Sequence, residues 1–386
     1  RETILASDPI LDLDTLPPSD WTFLDRYKPI ARKMASQAQV YLSRGCPFDC
    51  AFCMERAKRE VSWRSLSVER AVQEIVSLHA YLDLRGWTLY VADALFGMKK
   101  SWRRELLAAL ARERVPVDKL WLLIRVDLVE DEDLRLFAEA NCGLGFGLES
   151  GDPQLLATIR KAGRLDTYLE RMKEVSAWAR EHDVPWGANI ICGHPGETPG
   201  TMERSAAYMR ELFLDPKGVT GFLSVDPFRL YPGSPIDAER GQWEQRFGTR
   251  FHRPSWWDDG DQAFLAEWVD PSADLDWRER TRLQHALYGP VLARVEENFV
   301  YRGPARDYLG FREKAERVRR EDAELRDVAR RRRKAWRPIV AERAKLPVDD
   351  AWLDLVERVP RELFVPVDQV AESTRDEAVP LDATGA

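Results

Sequence analysis

From residue 38 onward the chain alternates short apolar runs with longer segments in which apolar residues recur every three or four positions. The short runs, bounded by turn residues, predict strands; the 3.6-residue spacing predicts helices that bury one face. Strands are predicted at 38–42, 87–92, 119–125, 143–148, 185–192 and 221–225. A helix over 68–84 is predicted with Ser67 as its cap and Ala71, Ile75, Leu78 and Leu82 inward. A second starts at Ser101 as cap, with Leu106, Leu107 and Leu110 inward. Further helices are predicted over 130–140, 152–162, 166–182 and 201–213. Strands this apolar, each followed by a helix, imply an α/β fold with a parallel sheet covered on both faces. Closing or nearly closing such a sheet gives a partial (β/α)6, TIM-like barrel, in which sites gather at the carboxyl ends of the strands.

The flanks read differently. Residues 1–37 are polar, and Pro17 and Pro18 disfavour helix, so this segment predicts a linker or a strap across one barrel face. Residues 241–345 predict a helical extension rich in aromatic residues and charge. Within it, the stretch Ser255-Trp256-Trp257-Asp258-Asp259 either caps a substrate or merely seals the barrel. Over 312–345 the basic run Arg330 to Lys334 reads as a solvated helix with i,i+4 pairs, or else as a basic surface for nucleic acid or a leader peptide. Four domains follow: 1–37, 38–240, 241–345 and 346–386.

Composition narrows the setting. A net charge of −7 gives no overall attraction to nucleic acid. No run of about 18 apolar residues is present to span a membrane, and no charged-then-apolar leader opens the chain. Three of the five cysteines fall in one loop, so a disulfide framework is not expected and a reducing cytoplasm is. A start at Arg1 and an end at Gly385-Ala386 suggest a piece of a longer protein.

The chemistry concentrates in that loop: Arg44-Gly45-Cys46-Pro47-Phe48-Asp49-Cys50-Ala51-Phe52-Cys53. Thiolates are the soft ligands of iron–sulfur clusters, and three of them leave one iron of a [4Fe–4S] cube open to a further ligand. A structural zinc site wants four ligands, and neither a histidine nor a fourth cysteine lies near in sequence. A disulfide pair with a spare thiol is the remaining alternative. An iron–sulfur electron carrier would want a fourth cysteine, and none is placed for it.

The CxxxCxxC spacing, with Phe52 directly before the last cysteine, resembles the radical S-adenosylmethionine (radical SAM) enzymes, and the resemblance extends over about residues 8–240. It implies that Cys46, Cys50 and Cys53 hold a [4Fe–4S] cluster, and that S-adenosylmethionine chelates the open iron and is cleaved to a 5′-deoxyadenosyl radical. Phe52 would lie beside that cofactor. Asp93, in Asp93-Ala94-Leu95-Phe96-Gly97, either contacts its amino group or is a turn aspartate; Ala94 stands where the cobalamin-dependent group commonly has a second aspartate. Arg125 either forks onto its carboxylate or pairs with Asp127 or Asp93. Glu149 and Ser150, in Gly145-Phe146-Gly147-Leu148-Glu149-Ser150-Gly151, would serve its ribose or methionine part. Ile191, in Asn189-Ile190-Ile191-Cys192-Gly193-His194-Pro195-Gly196-Glu197-Thr198, would pack along adenine. In that string Cys192 and His194 are either a second metal pair or a core cysteine and a turn histidine, and Cys142 reads as core.

Tyr231-Pro232-Gly233-Ser234-Pro235 is similar to strings in cobalamin-dependent radical SAM enzymes and methylthiotransferases. That likeness implies cobalamin as a third cofactor and methylation of an unactivated centre. Methylthiotransferase-like sulfur insertion and radical modification of a ribosomally made peptide are the alternatives. Expected partners are a small-molecule or peptide substrate and a reducing donor of flavodoxin or ferredoxin type. Finally, 355–366 and 375–381 resemble the opening of protein-L-isoaspartate O-methyltransferases, so 346–386 is expected to begin a methyltransferase-like domain.

Overall fold

The computed structural model describes residues 10–26, 28, 37–56, 62–162, 165–214, 221–259 and 263–298. The charged helix expected over 312–345 and the methyltransferase-like segment over 346–386 lie outside the described residues. Six strands form one sheet: β1 (Gln37–Val40), β2 (Thr88–Val91), β3 (Lys119–Ile124), β4 (Cys142–Glu149), β5 (Trp186–Cys192) and β6 (Gly221–Pro227). They lie side by side in chain order, every neighbouring pair parallel. β1 and β6 are its two edges, so the sheet is an open, partial barrel.

The crossovers are α1 (Val68–Leu82), α2 (Lys100–Glu113), α3 (Asp131–Glu139), α4 (Pro153–Thr158), α5 (Leu165–Glu181) and α6 (Pro199–Phe213). Ser67 caps α1, its side chain accepting from Arg70 N. Two other starts differ from expectation. α2 begins one residue before Ser101, with Lys99 at the cap and no side-chain hydrogen bond there. α6 begins at Pro199, and Thr198 and Thr201 cap each other reciprocally, so Thr201 is the third helical residue rather than the first. Proline at the first helical position has no N–H to leave unpaired, which is why it starts the helix cheaply.

The helix-facing side of the sheet is a continuous apolar core; Leu120, Leu122 and Ile124 of β3 are all buried in it. The concave side follows a different rule. Trp121 and Leu123 of β3 stand beside Gly143 and Gly145 of β4, and Phe222 of β6 beside Gly187 of β5. β3 and β6 are three strand spacings apart, roughly 14 Å in a flat sheet, yet the rings of Trp121 and Phe222 meet at 5.4 Å between centroids. The two rings lean toward each other over the glycines between them. A Cβ on Gly187 would stand 2.2 Å from the Phe222 ring, and one on Gly143 2.4 Å from the Trp121 ring. The concave face is therefore not the fully covered apolar surface that the strand composition suggests: Trp121, Leu123 and Phe222 are only half-buried.

Residues 10–26 lie across α1. Leu13 is buried, Ser19 N donates to Glu74 Oε1 (3.2 Å) and Trp21 Nε1 to Ser77 Oγ (3.0 Å). At the other end, α7 (Pro235–Ala238) and α8 (Arg240–Phe247) lead to a two-residue antiparallel pair between Arg250–Phe251 and Val269–Asp270, and then to α9 (Trp277–Asn298). α9 packs on α6 and β6. Its Gln284 donates to Val225 O (3.1 Å), and its Arg280 to Glu267 O (3.1 Å). Behind that contact sits a buried polar group of Glu197, Cys192, Arg280 and Tyr288. Glu197 accepts from Gly193 N, which fixes the turn after β5. Burial pushes its carboxyl up to about 8, with Asp152 raising it further and Arg280 and the amides of Gly193 and His194 opposing.

Two outcomes follow from these contacts. Gly187→Ala should lower thermal stability by about 1–3 kcal/mol, the range for forcing a methyl into a packed site, and Phe222→Leu in the same chain should restore part of it; an unchanged melting temperature would contradict the ring-over-glycine packing. Glu197 keeps its proton in the folded chain up to about 8, whereas the unfolded chain releases it near the ordinary value of 4.5. Its contribution is thus fully present below 4.5 and is lost as pH rises toward about 8. Melting curves of Glu197→Gln from pH 5 to 8.5 should lack that part of the decline, and curves parallel to wild type would refute the buried neutral acid.

Candidate active site

The cysteine loop leaves the carboxyl end of β1, its entry pinned by an antiparallel pairing of Ser43–Arg44 with Arg64–Ser65. Gly45 takes φ +81, a left-handed turn that a side chain would strain. Between the second and third cysteines, Ala51 N donates to Ile159 O (2.9 Å) and Ala51 O accepts from Ile236 N (3.0 Å). The Ala51 methyl is buried in a small apolar cluster with Phe228, Leu230, Ile236, Trp243 and Val269. Main-chain bonds thus hold the loop, and its cysteines are free of disulfides, with backbone amides at Phe48 and Glu55 beside the thiols of Cys46 and Cys53.

All three thiols are reduced; Cys50 is buried, Cys46 and Cys53 half-buried. Burial raises the thiols of Cys46 and Cys53 above their ordinary range, and the three lie close enough for Cys46 and Cys50 each to act electrostatically on Cys53. Among the described residues no three His, Cys, Asp or Glu side chains converge as ligands of a single ion would. Three thiols on one loop fall one short of the four ligands of a structural zinc site, and three is the number that leaves a corner of a four-iron cluster open.

Two cations lie beside this loop. Arg125, at the end of β3, places its Cζ 3.8 Å from the centroid of Phe48, the ring between the first two cysteines. Its Nε and Nη2 donate to Asp127 Oδ1 and Oδ2 (3.0 and 2.8 Å), while the buried Nη1 has no partner. Burial disfavours the charged guanidinium, and the Asp127 hydrogen bonds together with the charges of Tyr168, Asp127 and Cys50 more than offset it. Lys161, just beyond α4, donates to Glu149 Oε1 at 2.9 Å with both side chains 8% exposed. Its Nζ is 5.9 Å from the Phe52 ring centroid. Burial opposes its charge, and Glu149, Tyr168 and Cys50 together outweigh burial, so the ammonium is held well above its ordinary range. Glu149 sits at φ +69, where the pairing of β4 with β5 slips by one residue after Gly147. Such a bulge re-aims a side chain. A Cβ on Gly147 would stand 2.5 Å from Glu149 Oε1, so this glycine keeps the space for the ion pair.

The other expected residues fall into two sets. Phe52 and Ile191 come together at the edge of the Ala51 cluster. Asp93 faces β1 instead: its Oδ1 accepts from Leu42 N (2.8 Å) and its Oδ2 from Ser43 Oγ (2.6 Å), and burial raises its carboxyl to about 6 against those bonds. Ser150 is buried, its Oγ accepting from Asp152 N (3.0 Å) in the turn into α4. His194 lies between the tilted rings of Phe52 (centroids 5.1 Å apart) and Phe228 (5.3 Å). It is fully buried with neither ring nitrogen paired, and burial followed by the charge of Lys161 lowers it to about 3. Cys192 belongs to the buried group under α9, and Cys142 is buried at the start of β4. Lys161, Ala51 and Ile236 carry contacts that spacing alone does not announce. Lys161 lies inside the string that resembles the family, yet twelve residues and a helix separate it from Glu149.

Comparison with known proteins places this geometry. Residues 40–209 match the sequence model of the radical SAM superfamily. An uncharacterized methyltransferase of Pyrococcus horikoshii is 27% identical over 209 residues, 54% of this chain and 42% of that protein. The ribosomal protein uS12 methylthiotransferase RimO of Hydrogenovibrio crunogenus is 25% identical over 230 residues, 54% of this chain and 49% of that protein. The chain thus spans about half the length of these curated relatives or less. Among solved structures, the radical S-adenosylmethionine methyltransferase TsrM from Kitasatospora setae aligns with a TM-score of 0.46 at 22% identity, covering 56% of this chain and 40% of that one. With the three-cysteine loop at the head of the matched segment and the parallel half-barrel beneath it, residues 40–209 are a radical SAM domain.

Proposed function

We propose that Cys46, Cys50 and Cys53 hold a [4Fe–4S] cluster at the end of β1 and that the enzyme uses it to cleave S-adenosylmethionine reductively. The observation that carries this reading is the arrangement of the three thiols: mutually close, free of disulfides, and on a loop fixed by main-chain bonds. The cluster, when bound, supplies a low-potential electron and an open iron for the methionyl end of S-adenosylmethionine.

The chain's own groups then have distinct roles. Phe52 and Ile191 offer an apolar surface to the adenine. Arg125 offers Nη1, because its other donors are held by Asp127. Glu149 reaches the cofactor as the partner of Lys161, and Ser150 through its hydroxyl proton, since its oxygen already accepts from Asp152. Asp93 contributes by fixing the start of the cysteine loop, with both oxygens engaged by Leu42 and Ser43. The half-open concave face above Trp121 and Phe222 takes the substrate, a small molecule or peptide. A one-electron donor of flavodoxin or ferredoxin type supplies the reducing electron.

For the outcome, we favour methyl transfer with cobalamin as the methyl carrier, in keeping with the methyltransferase name of the Pyrococcus relative and the Tyr231-Pro232-Gly233-Ser234-Pro235 string. Methylthio transfer is the second reading, favoured by the similarity to RimO. Anaerobically reconstituted chain should carry a four-iron cluster and release 5′-deoxyadenosine from S-adenosylmethionine under dithionite. Cys50→Ala should lose both, at least a hundredfold in product; nucleoside release without the cluster would sink the reading. S-adenosylhomocysteine that forms only when cobalamin is added supports the first outcome, and formation independent of cobalamin supports the second.

A further inference from the structure

Two ion pairs with buried cations flank the cysteine loop, and in both it is the cation that lies against a ring of the loop. Lys161 Nζ lies 5.9 Å from the Phe52 ring centroid and Arg125 Cζ 3.8 Å from that of Phe48, so each cation lies beside a residue between two of the three cysteines. Arg125 and Lys161 are both among the charges acting most strongly on the Cys46 thiol, whereas their counter-ions Asp127 and Glu149 are not. The Cys50 thiol in turn acts on both cations. Asp127 is 37% exposed and screened by solvent. Glu149 is buried at the bulge after Gly147. The positive end of each pair therefore points at the loop and the negative end away from it.

We propose that Lys161, with Arg125 beside it, is an electrostatic positioning residue that raises the reduction potential of a cluster held by Cys46, Cys50 and Cys53. This rests on the cluster reading given above. One-electron reduction by a low-potential donor adds one negative charge to the cluster. A fixed cation in a water-poor surrounding stabilises that charge more than a solvated one does. An ion pair whose cation is nearer acts in the same direction, more weakly than the cation alone. Glu149 accordingly has two effects of opposite kind: it keeps Lys161 charged and buried, and it partly cancels that charge as seen from the loop.

The test is an EPR-monitored redox titration of the reconstituted full chain without S-adenosylmethionine, with iron and sulfide assayed for every variant. Glu149→Gln removes the counter-charge; titrated at about pH 5.5, so that the buried ammonium stays protonated without it, its midpoint should move positive of wild type at the same pH. The double variant Lys161→Met with Glu149→Gln leaves no unpaired buried charge, and its midpoint should move negative of wild type. Lys161→Arg should stay at the wild-type value. Intact clusters with a common midpoint, or shifts in the opposite order, overturn the inference while leaving the cluster reading in place. A wild-type chain that takes up no four-iron cluster overturns both. Should the double variant alone fail to take up a cluster, Glu149→Gln decides: a positive shift upholds the inference and no shift refutes it.

Discussion

Two main-chain hydrogen bonds at Ala51 carry the rest of the site. One ties the cysteine loop to Ile159 at the end of α4, the other to Ile236 in α7. Each contributes about 0.5–1.5 kcal/mol net, so neither is strong. Their value lies in what they spare: the loop is fixed without spending a thiol or a ring, and a buried methyl between them excludes anything larger. They also explain why strings far apart in sequence read as one site. The segment after β4 and the segment after β6 each supply one half of the clamp.

Much of the fold was legible because the strands are short, apolar and regularly interrupted by helices. All six appear in their expected order, within a few residues of the expected bounds. The differences have local causes. Ser101 looks like a cap by type, yet Lys99 occupies the position. Thr201 looks like a start, yet a proline two residues earlier begins the helix and makes it the partner of Thr198. The concave face misled for a deeper reason: glycine reads as a gap in a strand, and only the register shows that each gap holds a neighbour's ring.

The site was legible where chemistry is written in residue type and spacing, as in the three cysteines, and where two partners sit two positions apart, as in Arg125 and Asp127. It was not legible where a backbone irregularity redirects a side chain. The left-handed conformation of Glu149 follows from the slip against β5 and has no local signature, so its partnership with Lys161 emerges only in three dimensions. Residues 277–298 likewise gave little sign that they belong to the barrel. α9 is nonetheless built into it, through Tyr288 and Arg280 against the turn that Glu197 holds.

The contact between Trp121 and Phe222 has a consequence for how such a barrel can change its substrate. The two rings form the floor of the concave face, and they stand on β3 and β6 rather than on any loop that holds a cysteine. Trimming either ring deepens the chamber, and a glycine already lies beside each to accept a rearranged neighbour. Chamber depth and the placing of the cysteine loop are thereby encoded by separate residues, so a lineage can alter the size of the chamber while the loop above it stays untouched.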